Sequence, residues 1–241
     1  MVRIVELGPS YADAASTEHH FVNRPGGWGA RAVAERLAAE RGHGYERPAD
    51  GGVSAAQLDE LLADADAVIV SPSLQGPDGR GAHQPEDGPI AGRTIGHRIL
   101  DRISDRHPDV HVVLLSHFLT GHGVTHKNYR VHSHALRSLE AHLRGGSNPW
   151  TILRATWLSP QHDASYQIRL IQDQYADGLV TPDSLALAAF AAIESPDASA
   201  GRTAAVINLS IPGSGDHDLA GQYARLTPDL EAQQVRELVA R

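Results

Sequence analysis

Histidines are concentrated in one segment of the chain, where their side chains could transfer protons. Seven of the 15 histidines lie between residues 111 and 142. Imidazole titrates close to neutral pH, so a well-placed histidine can give or take a proton without help from a second group. His117 directly follows Ser116, and Tyr129 adds a hydroxyl group to the same segment. The seven histidines are His111, His117, His122, His126, His132, His134 and His142.

Two of these histidines have the spacing of a metal-binding pair. His122 and His126 are four residues apart, which places two ligands on one face of a helix. The flanking glycines Gly121 and Gly123 favour a loop, and no carboxylate or third histidine is placed to complete a site. We therefore expect no metal. His111, in a predicted strand, and His142, late in a predicted helix, are expected to be structural or solvent-facing.

The elements that position these residues alternate between strands and helices, which predicts a parallel α/β sheet with helices on both faces. Short apolar runs predict strands at Val2–Leu7, Ala67–Ser71, Val110–Ser116, Trp150–Ala155 and Thr203–Asn208. Helical spacing predicts helices at Ala30–Arg41, Ser54–Ala63, Ile90–Arg106, Val131–Arg144 and Pro182–Ser195. Ser54 with Gln57, and Thr181 followed by Pro182 and Asp183, are typical helix starts.

Three polar, irregular stretches each follow a predicted strand. They are Pro9–Trp28, Pro72–Pro89 and Pro160–Ile168. Loops of this length in compact domains usually carry function or are disordered. Ligands of open α/β sheets bind beyond the carboxyl ends of the strands, so we predict the binding site at that edge.

Several motifs occur in the order of a known family. The strand runs Asp66–Val70 and Val113–Ser116 precede Trp150–Ala155, which fits a W-T-I-x-R-P strand. Asp177–Ala186 fits a D-G-x-I-x-x-x-D-x-A segment, and Gly201–Thr203 fits G-[KR]-T. From about Ser54 to Asn208 the chain resembles an atypical short-chain dehydrogenase/reductase of the NmrA-like kind. The resemblance implies a Rossmann-like doubly wound sheet and NAD(P)H as cofactor.

The amino-terminal part departs from the family pattern. The family's glycine fingerprint directly follows the first strand, whereas here an insertion separates Gly8 from the next glycines. The resemblance assigns seven residues to cofactor binding: Gly8, Gly26, Gly27, Gly29, Arg31, Ser71 and Pro72. At about 3.3 Å per residue, the bridge Gly44–Asp50 holds one short strand but not two. We therefore predict a shortened nucleotide half.

The same bridge bears on cofactor choice. In the family, an acid binds the 2′-hydroxyl of the adenine ribose, or a basic residue binds a 2′-phosphate. Glu46 or Arg47 would take either part. The alternative is that both side chains belong to a solvated strand end.

The family's acid is a tyrosine followed four residues later by a lysine, and these two positions fall near His134 and Ser138. The only lysine, Lys127, precedes Tyr129, so the pair is absent. The predicted catalytic residues are His134, Tyr129, Ser116 and His117. The predicted substrate-binding residues are Trp157, His162 and Tyr166. Arg154 is expected to tie loops together.

Composition excludes several functional classes. The 241 residues carry a formal charge of −8 and no basic run, which argues against nucleic acid. The absence of cysteine excludes disulfides and thiolate catalysis. No apolar run is long enough to span a membrane and no signal peptide is visible, so we expect a cytoplasmic protein. We expect one domain over residues 1–241, with a substrate-side subregion from about residue 157. The expected partners are a small-molecule substrate and, as an option, a second copy of the chain in a homodimer.

Three functions remain open. The first is NAD(P)H-dependent reduction of a carbonyl or conjugated alkene, with His134, Ser116 or Tyr129 supplying or orienting the proton. The second is cofactor-independent acid–base chemistry, such as cyclisation, dehydration or isomerisation. The third is a non-catalytic NmrA-like sensor that binds a dinucleotide and reports it to a protein partner.

Overall fold

The computed structural model describes residues 1–7, 31–48, 55–71, 95–120, 130–159, 166–212 and 218–230. The strands are β1 Arg3–Leu7, β2 Gly44–Glu46, β3 Ala67–Val70, β4 His111–His117, β5 Trp150–Ala155, β6 Trp157–Leu158, β7 Tyr166–Ile171, β8 Leu179–Val180 and β9 Arg202–Pro212. The helices are α1 Arg31–Glu40, α2 Ala55–Leu62, α3 Ile95–Arg106, α4 Arg130–Arg144, α5 Pro182–Glu194, α6 Pro196–Ser199 and α7 Leu219–Arg225. A 3-10 turn, Phe118–Thr120, follows β4 directly.

Seven strands form one sheet in the order β2-β1-β3-β4-β5-β9-β7. Neighbouring strands are parallel except β7, which runs antiparallel to β9. The strands β6 and β8 form a separate parallel pair. This is a Rossmann-like α/β fold, as predicted. In the described part of the bridge that starts at Gly44, only the three-residue edge strand β2 lies beyond β1. The shortened nucleotide half stays a prediction.

Helices cover both faces of the sheet, and the central strands are buried between them. Helices α1, α5 and α7 pack on one face, and α2, α3 and α4 pack on the other. In β4, Val113 contacts the first layer and Val112 the second. Burial on both faces explains why the apolar run in β4 is continuous and does not alternate with polar residues.

Most predicted boundaries agree with the structure. For β1, β3, β4 and β5, both ends lie within one residue of the prediction. The predicted start of α5 is also confirmed, because Thr181 caps the helix by accepting a hydrogen bond from the Ser184 amide at 3.1 Å. Ser54 and the predicted first turn of α3, residues 90–94, lie outside the described residues.

The prediction of an irregular stretch through Ile168 is wrong. Strand β7 begins at Tyr166 and pairs with β9, which extends to Pro212 and is longer than predicted. Ile168 and Leu170 are buried on alternate positions of β7, which is the period of a strand covered on one face. The earlier part of the predicted stretch, residues 160–165, lies outside the described residues.

None of the helices in the described ranges has the length and apolar character needed to cross a bilayer.

Candidate functional site

The connections of β1 and β3 locate the expected ligand site. Strand β1 leads to α1 on one face of the sheet, whereas its neighbour β3 leads to α3 on the opposite face. Such a reversal is a topological switch point, and ligands of this fold bind outside the carboxyl ends of the strands there. The Ser71 amide donates to the Leu7 carbonyl at 2.8 Å, so the two strands stay paired to their ends. A ligand bound in the manner of this fold would therefore lie beyond Leu7 and Ser71.

The predicted cofactor residues are only partly covered by the structure. Ser71, half-buried, ends β3 at the switch point, and Arg31 is the first residue of α1. The Arg31 side chain, the four glycines at positions 8, 26, 27 and 29, and Pro72 lie outside what is described. The assignment of these residues to cofactor binding stays a prediction.

His117 ends β4 at the same edge and is held in an aromatic cluster. Its ring is 2% exposed and lies 4.6 Å from the Phe118 ring and 5.6 Å from the Trp157 ring, between centroids. Its Nδ1 accepts a hydrogen bond from the Leu119 amide at 3.3 Å. Because Nδ1 is an acceptor, the ring is neutral in this arrangement and carries its proton on Nε2.

A buried carboxylate, Glu140 of α4, holds the end of β4. The Ser116 hydroxyl donates to Glu140 Oε1 at 2.7 Å. Arg154 of β5 donates to both carboxylate oxygens, at 3.0 and 2.7 Å, and Arg144 donates to Oε2 at 3.4 Å. Glu140 is 1% exposed, so this is a buried and fully engaged ionic network.

The charge state of Glu140 follows from these contacts. Burial would raise the pKa of the carboxyl, but the hydrogen bond and charge of Arg154, the charge of Arg144 and the Ser116 hydroxyl together hold the pKa of Glu140 below its usual range. Conversely, burial would lower the pKa of Arg154, but Glu140 raises it. The pair is therefore ionised, and Glu140 acts as a fixed negative charge behind Ser116.

Helix α4 also fixes the turn that follows His117. The Thr120 hydroxyl donates to the His117 carbonyl at 2.8 Å and lies 3.2 Å from Glu140 Oε1. Arg137 Nε donates to the Thr120 carbonyl. The backbone on either side of the His117 ring is thus tied to one helix.

Trp157 is positioned by the small β6–β8 sheet. Its indole Nε1 donates to Asp177 Oδ1 at 2.9 Å, and its ring centroid lies 5.0 Å from that of Phe118. The Trp157 amide also donates to the Gly178 carbonyl at 3.0 Å. Trp157 is half-buried, so its ring borders the site edge rather than the deep core.

Other predicted residues lie elsewhere or outside the described ranges. Tyr166 starts β7 three strands from His117, a lateral spacing of roughly 14 Å at about 4.8 Å per strand, and it also lies farther along the strand direction, because His117 is level with Leu170. His134 lies in α4, and its side chain is outside what is described; Tyr129 and His162 are not described at all. The catalytic and substrate-binding roles of these residues stay predictions.

His111 and His142, which were expected to be structural or solvent-facing, each have a side-chain partner. His111 Nε2 lies 2.9 Å from Thr151 Oγ1, and His142 Nε2 lies 2.8 Å from Asp101 Oδ1. The expectation for Arg154 is wrong in detail, because its partner Glu140 lies on a helix and not on a loop. A guanidinium placed on β5 reaches the helix that packs directly above it.

Sequence reasoning missed Glu140, Arg144 and Asp177. The signal for Glu140 was its place beside the apolar positions Leu139 and Leu143 of an amphipathic helix, four residues before Arg144. However, the same four-residue spacing between an acid and an arginine is also typical of solvent-exposed ion pairs on helices, so it does not identify Glu140 as buried. Among the described residues, no three histidine, aspartate or glutamate side chains are placed to hold a metal ion.

No family model and no curated protein matches the sequence. Solved structures do match it. A protein from Bacillus halodurans, provisionally assigned as an NAD-dependent epimerase/dehydratase, is 15% identical with a TM-score of 0.61, and the match covers 94% of this chain and 100% of that one. A wide-type short-chain dehydrogenase/reductase from Veillonella parvula, in complex with NADP, is 15% identical with a TM-score of 0.52 and coverages of 90% and 97%.

A third similar structure is an anaerobilin reductase from Escherichia coli. It is 13% identical with a TM-score of 0.52, and the match covers 88% of this chain and 99% of that one. At these identities the likeness extends to the fold alone.

Proposed function

We propose that this protein is an NAD(P)H-dependent reductase of the short-chain dehydrogenase/reductase type, acting on a carbonyl or conjugated alkene of a small molecule. One observation carries the proposal. The switch point at the ends of β1 and β3 lies at the same sheet edge as His117 of β4 and Trp157 after β5. A dinucleotide placed at the switch point would therefore point its reactive end toward these two rings.

The described residues fit such a cofactor in two respects. The first described turn of α1 begins at the carboxyl edge of the sheet, where a helix amino terminus favours phosphate. Arg47, one residue after β2, provides a basic group beside the expected adenosine end. When bound, NAD(P)H supplies a hydride to a substrate carbon, and the reduction is completed by a proton from elsewhere.

His117 orients the substrate oxygen in this proposal. His117 Nε2 is buried, so this role requires that substrate binding uncovers the ring. An Nε2–H donor would then stabilise the negative charge that develops on the oxygen. Ser116 and Glu140 are positioning residues, because the Ser116 hydroxyl is committed to the buried carboxylate. His134 supplies the proton, and Tyr129 is the second candidate for that role. Trp157 stacks on a flat, conjugated part of the substrate.

The names of two similar structures agree with the proposed cofactor and reaction type, but they do not identify the substrate. The Veillonella parvula protein is in complex with NADP, and the Escherichia coli protein is a reductase. Membership of the NmrA-like subtype, a cytoplasmic location and a homodimer stay predictions from the sequence.

The test of the cofactor is a binding titration. NADH and NADPH are added to the purified protein, and the melting temperature and cofactor fluorescence are followed. We expect saturable binding, followed by cofactor oxidation with some members of a panel of aldehydes, ketones and enones. The absence of binding at millimolar cofactor would contradict the proposal. Tight binding without turnover would favour a dinucleotide sensor instead.

The test of the proton donor compares two histidines. His134→Phe should abolish turnover, whereas His117→Leu should lower kcat by about 10²–10³-fold through the loss of one charge-stabilising donor. Cofactor affinity and the melting temperature serve as controls for folding. A His134→Phe enzyme with normal kcat would refute the assignment of the donor.

A cofactor-independent acid–base enzyme is the second candidate. The short edge strand β2 favours it, because β2 has only three residues and forms the edge of the sheet in the described part of the chain. Substrate conversion by protein freed of nucleotide would support this candidate.

A further inference from the structure

Arg137 of α4 places a guanidinium group beside the turn that follows His117. Its Nε donates to the carbonyl of Thr120, the last residue of that turn, and the Thr120 hydroxyl donates to the His117 carbonyl at 2.8 Å. Thr120 is 2% exposed, whereas Arg137 is only half-buried. The guanidinium is therefore fixed to a buried turn at the carboxyl edge of the sheet and is still partly open to solvent.

One edge of this guanidinium remains free for a ligand. Nη1 and Nη2 of Arg137 have no hydrogen-bond acceptor and no carboxylate partner among the described residues. Neither nitrogen belongs to the buried, unpaired atoms of the described chain, so a ligand can reach both. With Nε committed to Thr120, the edge formed by Nη1 and Nη2 still presents two parallel N–H donors. That arrangement matches the two oxygens of a planar carboxylate.

The neighbouring ionic network does not balance the charge of Arg137. Glu140 lies one turn further along α4, but its carboxylate is held by Arg154 and Arg144. Arg144 also pairs with Asp229 at 2.8 Å, so two carboxylates face two guanidinium groups. The network is therefore neutral by itself, and the positive charge of Arg137 is available to an anionic ligand.

The position of Arg137 connects this charge with the proposed reaction. Its partner Thr120 follows His117 by three residues, and His134 precedes Arg137 by three residues in α4. Positions three apart on a helix are neighbours on its surface. An anion bound to Arg137 would therefore lie beyond β4, beside the two histidines assigned to the substrate oxygen, and not at the switch point between β1 and β3.

We infer that Arg137 binds a carboxylate group of the substrate, so that the protein acts on oxo acids or unsaturated acids in preference to neutral carbonyl compounds. This inference rests on the proposed function, and it narrows the substrate class of that site without bearing on the choice of cofactor. Arg137 determines specificity and moves no proton, because a guanidinium stays charged at all accessible pH values.

The test compares acids with their esters. Aromatic oxo acids and enone acids of increasing chain length are each paired with their methyl ester, and binding by calorimetry and NADPH-dependent turnover are both measured. In the best-bound pair, the acid should bind about ten- to a hundredfold more tightly than the ester, because the ester loses a charge-assisted, two-point contact. Arg137→Gln should lower this ratio to near one, through KM more than through kcat, whereas Arg137→Lys should retain part of it.

Arg202→Gln is the matched control for a general charge effect. Arg202 is also half-buried and also donates to backbone carbonyls, those of Leu226 at 3.2 Å and Ala200 at 2.8 Å. It starts β9, which is parallel to β5, so it lies at the opposite edge of the sheet. Removing its charge should leave the ratio of acid to ester intact.

The outcomes separate this inference from the proposed function. A ratio near one in the natural protein, an unchanged ratio in Arg137→Gln, or failure of every acid to bind would overturn the inference, while turnover of any ester would still uphold the reductase. Acids that bind through Arg137 without turnover would uphold the inference and contradict the reductase. Phenyl phosphate is the third kind of probe, and tighter binding of this compound than of the acids would overturn the choice of a carboxylate.

Discussion

At the scale of single residues, His111 shows how burial sets a charge state. The Thr151 hydroxyl donates to the Ser199 carbonyl at 3.0 Å, so its oxygen accepts from His111 Nε2 at 2.9 Å. The other ring nitrogen, Nδ1, is buried without a hydrogen-bond partner in the described part of the chain. A proton on Nδ1 would be a buried charge without an acceptor, and burial accordingly lowers the pKa of His111 to about 4.

We therefore predict a stability loss in mild acid. The unfolded chain binds a proton at His111 below about pH 6.5, whereas the folded chain binds it only near pH 4. Stability is thus full above pH 6.5 and falls as the pH drops toward 4, by roughly 2–3 kcal/mol from this group. Urea unfolding between pH 4 and 7 measures the slope, and His111→Leu should flatten it. An equal slope in both proteins would contradict the assignment.

Glu140 leads to a second prediction at this scale. Replacing it with Gln removes the charge but keeps the shape, and it leaves Arg154 buried beside a neutral amide. We expect a loss of about 3 kcal/mol in unfolding free energy, because breaking one side of a buried pair leaves an uncompensated charge. The exposed Glu46–Arg3 pair is the control, and Glu46→Gln should cost less than about 1 kcal/mol. Equal losses in urea titrations would show that the Glu140 network does not stabilise the fold.

At the scale of elements, the connection before β8 sets the position of Trp157. Gly178 has φ +147, and a Cβ there would lie 2.3 Å from Ile207 Cδ1. The neighbouring Asp177 accepts a hydrogen bond from the Trp157 indole, and the Gly178 carbonyl accepts one from the Trp157 amide. A side chain at position 178 must therefore displace either Ile207 of β9 or the support of Trp157.

Gly178→Ala should thus destabilise the protein by about 2–3 kcal/mol through overpacking and backbone strain, and shift the tryptophan fluorescence. Gly201→Ala is the matched control. Gly201 also has a positive φ of +73, but a Cβ at this position would meet no described atom within 4 Å, so only the backbone cost of about 1 kcal/mol applies. If the two variants lost equal stability, steric conflict with Ile207 would not be the cause.

The long central elements could be predicted from the sequence, whereas the short ones could not. Strands β3 and β4 are continuous apolar runs, and α5 carries its own cap, so local pattern and tertiary packing agree. Strands β6 and β8 have two residues each and exist only because they pair with each other. No local period can reveal an element of that length.

At the scale of the whole molecule, cofactor binding and folding should be coupled. Helix α1 and the edge strand β2 border the proposed dinucleotide site, and β2 is held to the sheet only through β1 in the described chain. A ligand that binds only the folded state stabilises it by about 2.7 kcal/mol at 100 times its dissociation constant. Calorimetric melting should therefore give a higher melting temperature with saturating NADPH than without it. A transition that stays in place while fluorescence reports binding would contradict the coupling.

The sequence by itself determined the fold class, the central strands, the short bridge from Gly44 to Asp50 and the absence of the tyrosine–lysine pair. These features depend on residue type, local periodicity and segment length, which can all be read from the linear sequence. Only the tertiary structure decided that Glu140 lies behind Ser116, that Asp177 holds Trp157, and that Arg137 reaches the turn after His117. Those contacts join residues far apart in the sequence, and their partners are selected by sheet order and burial rather than by spacing along the chain.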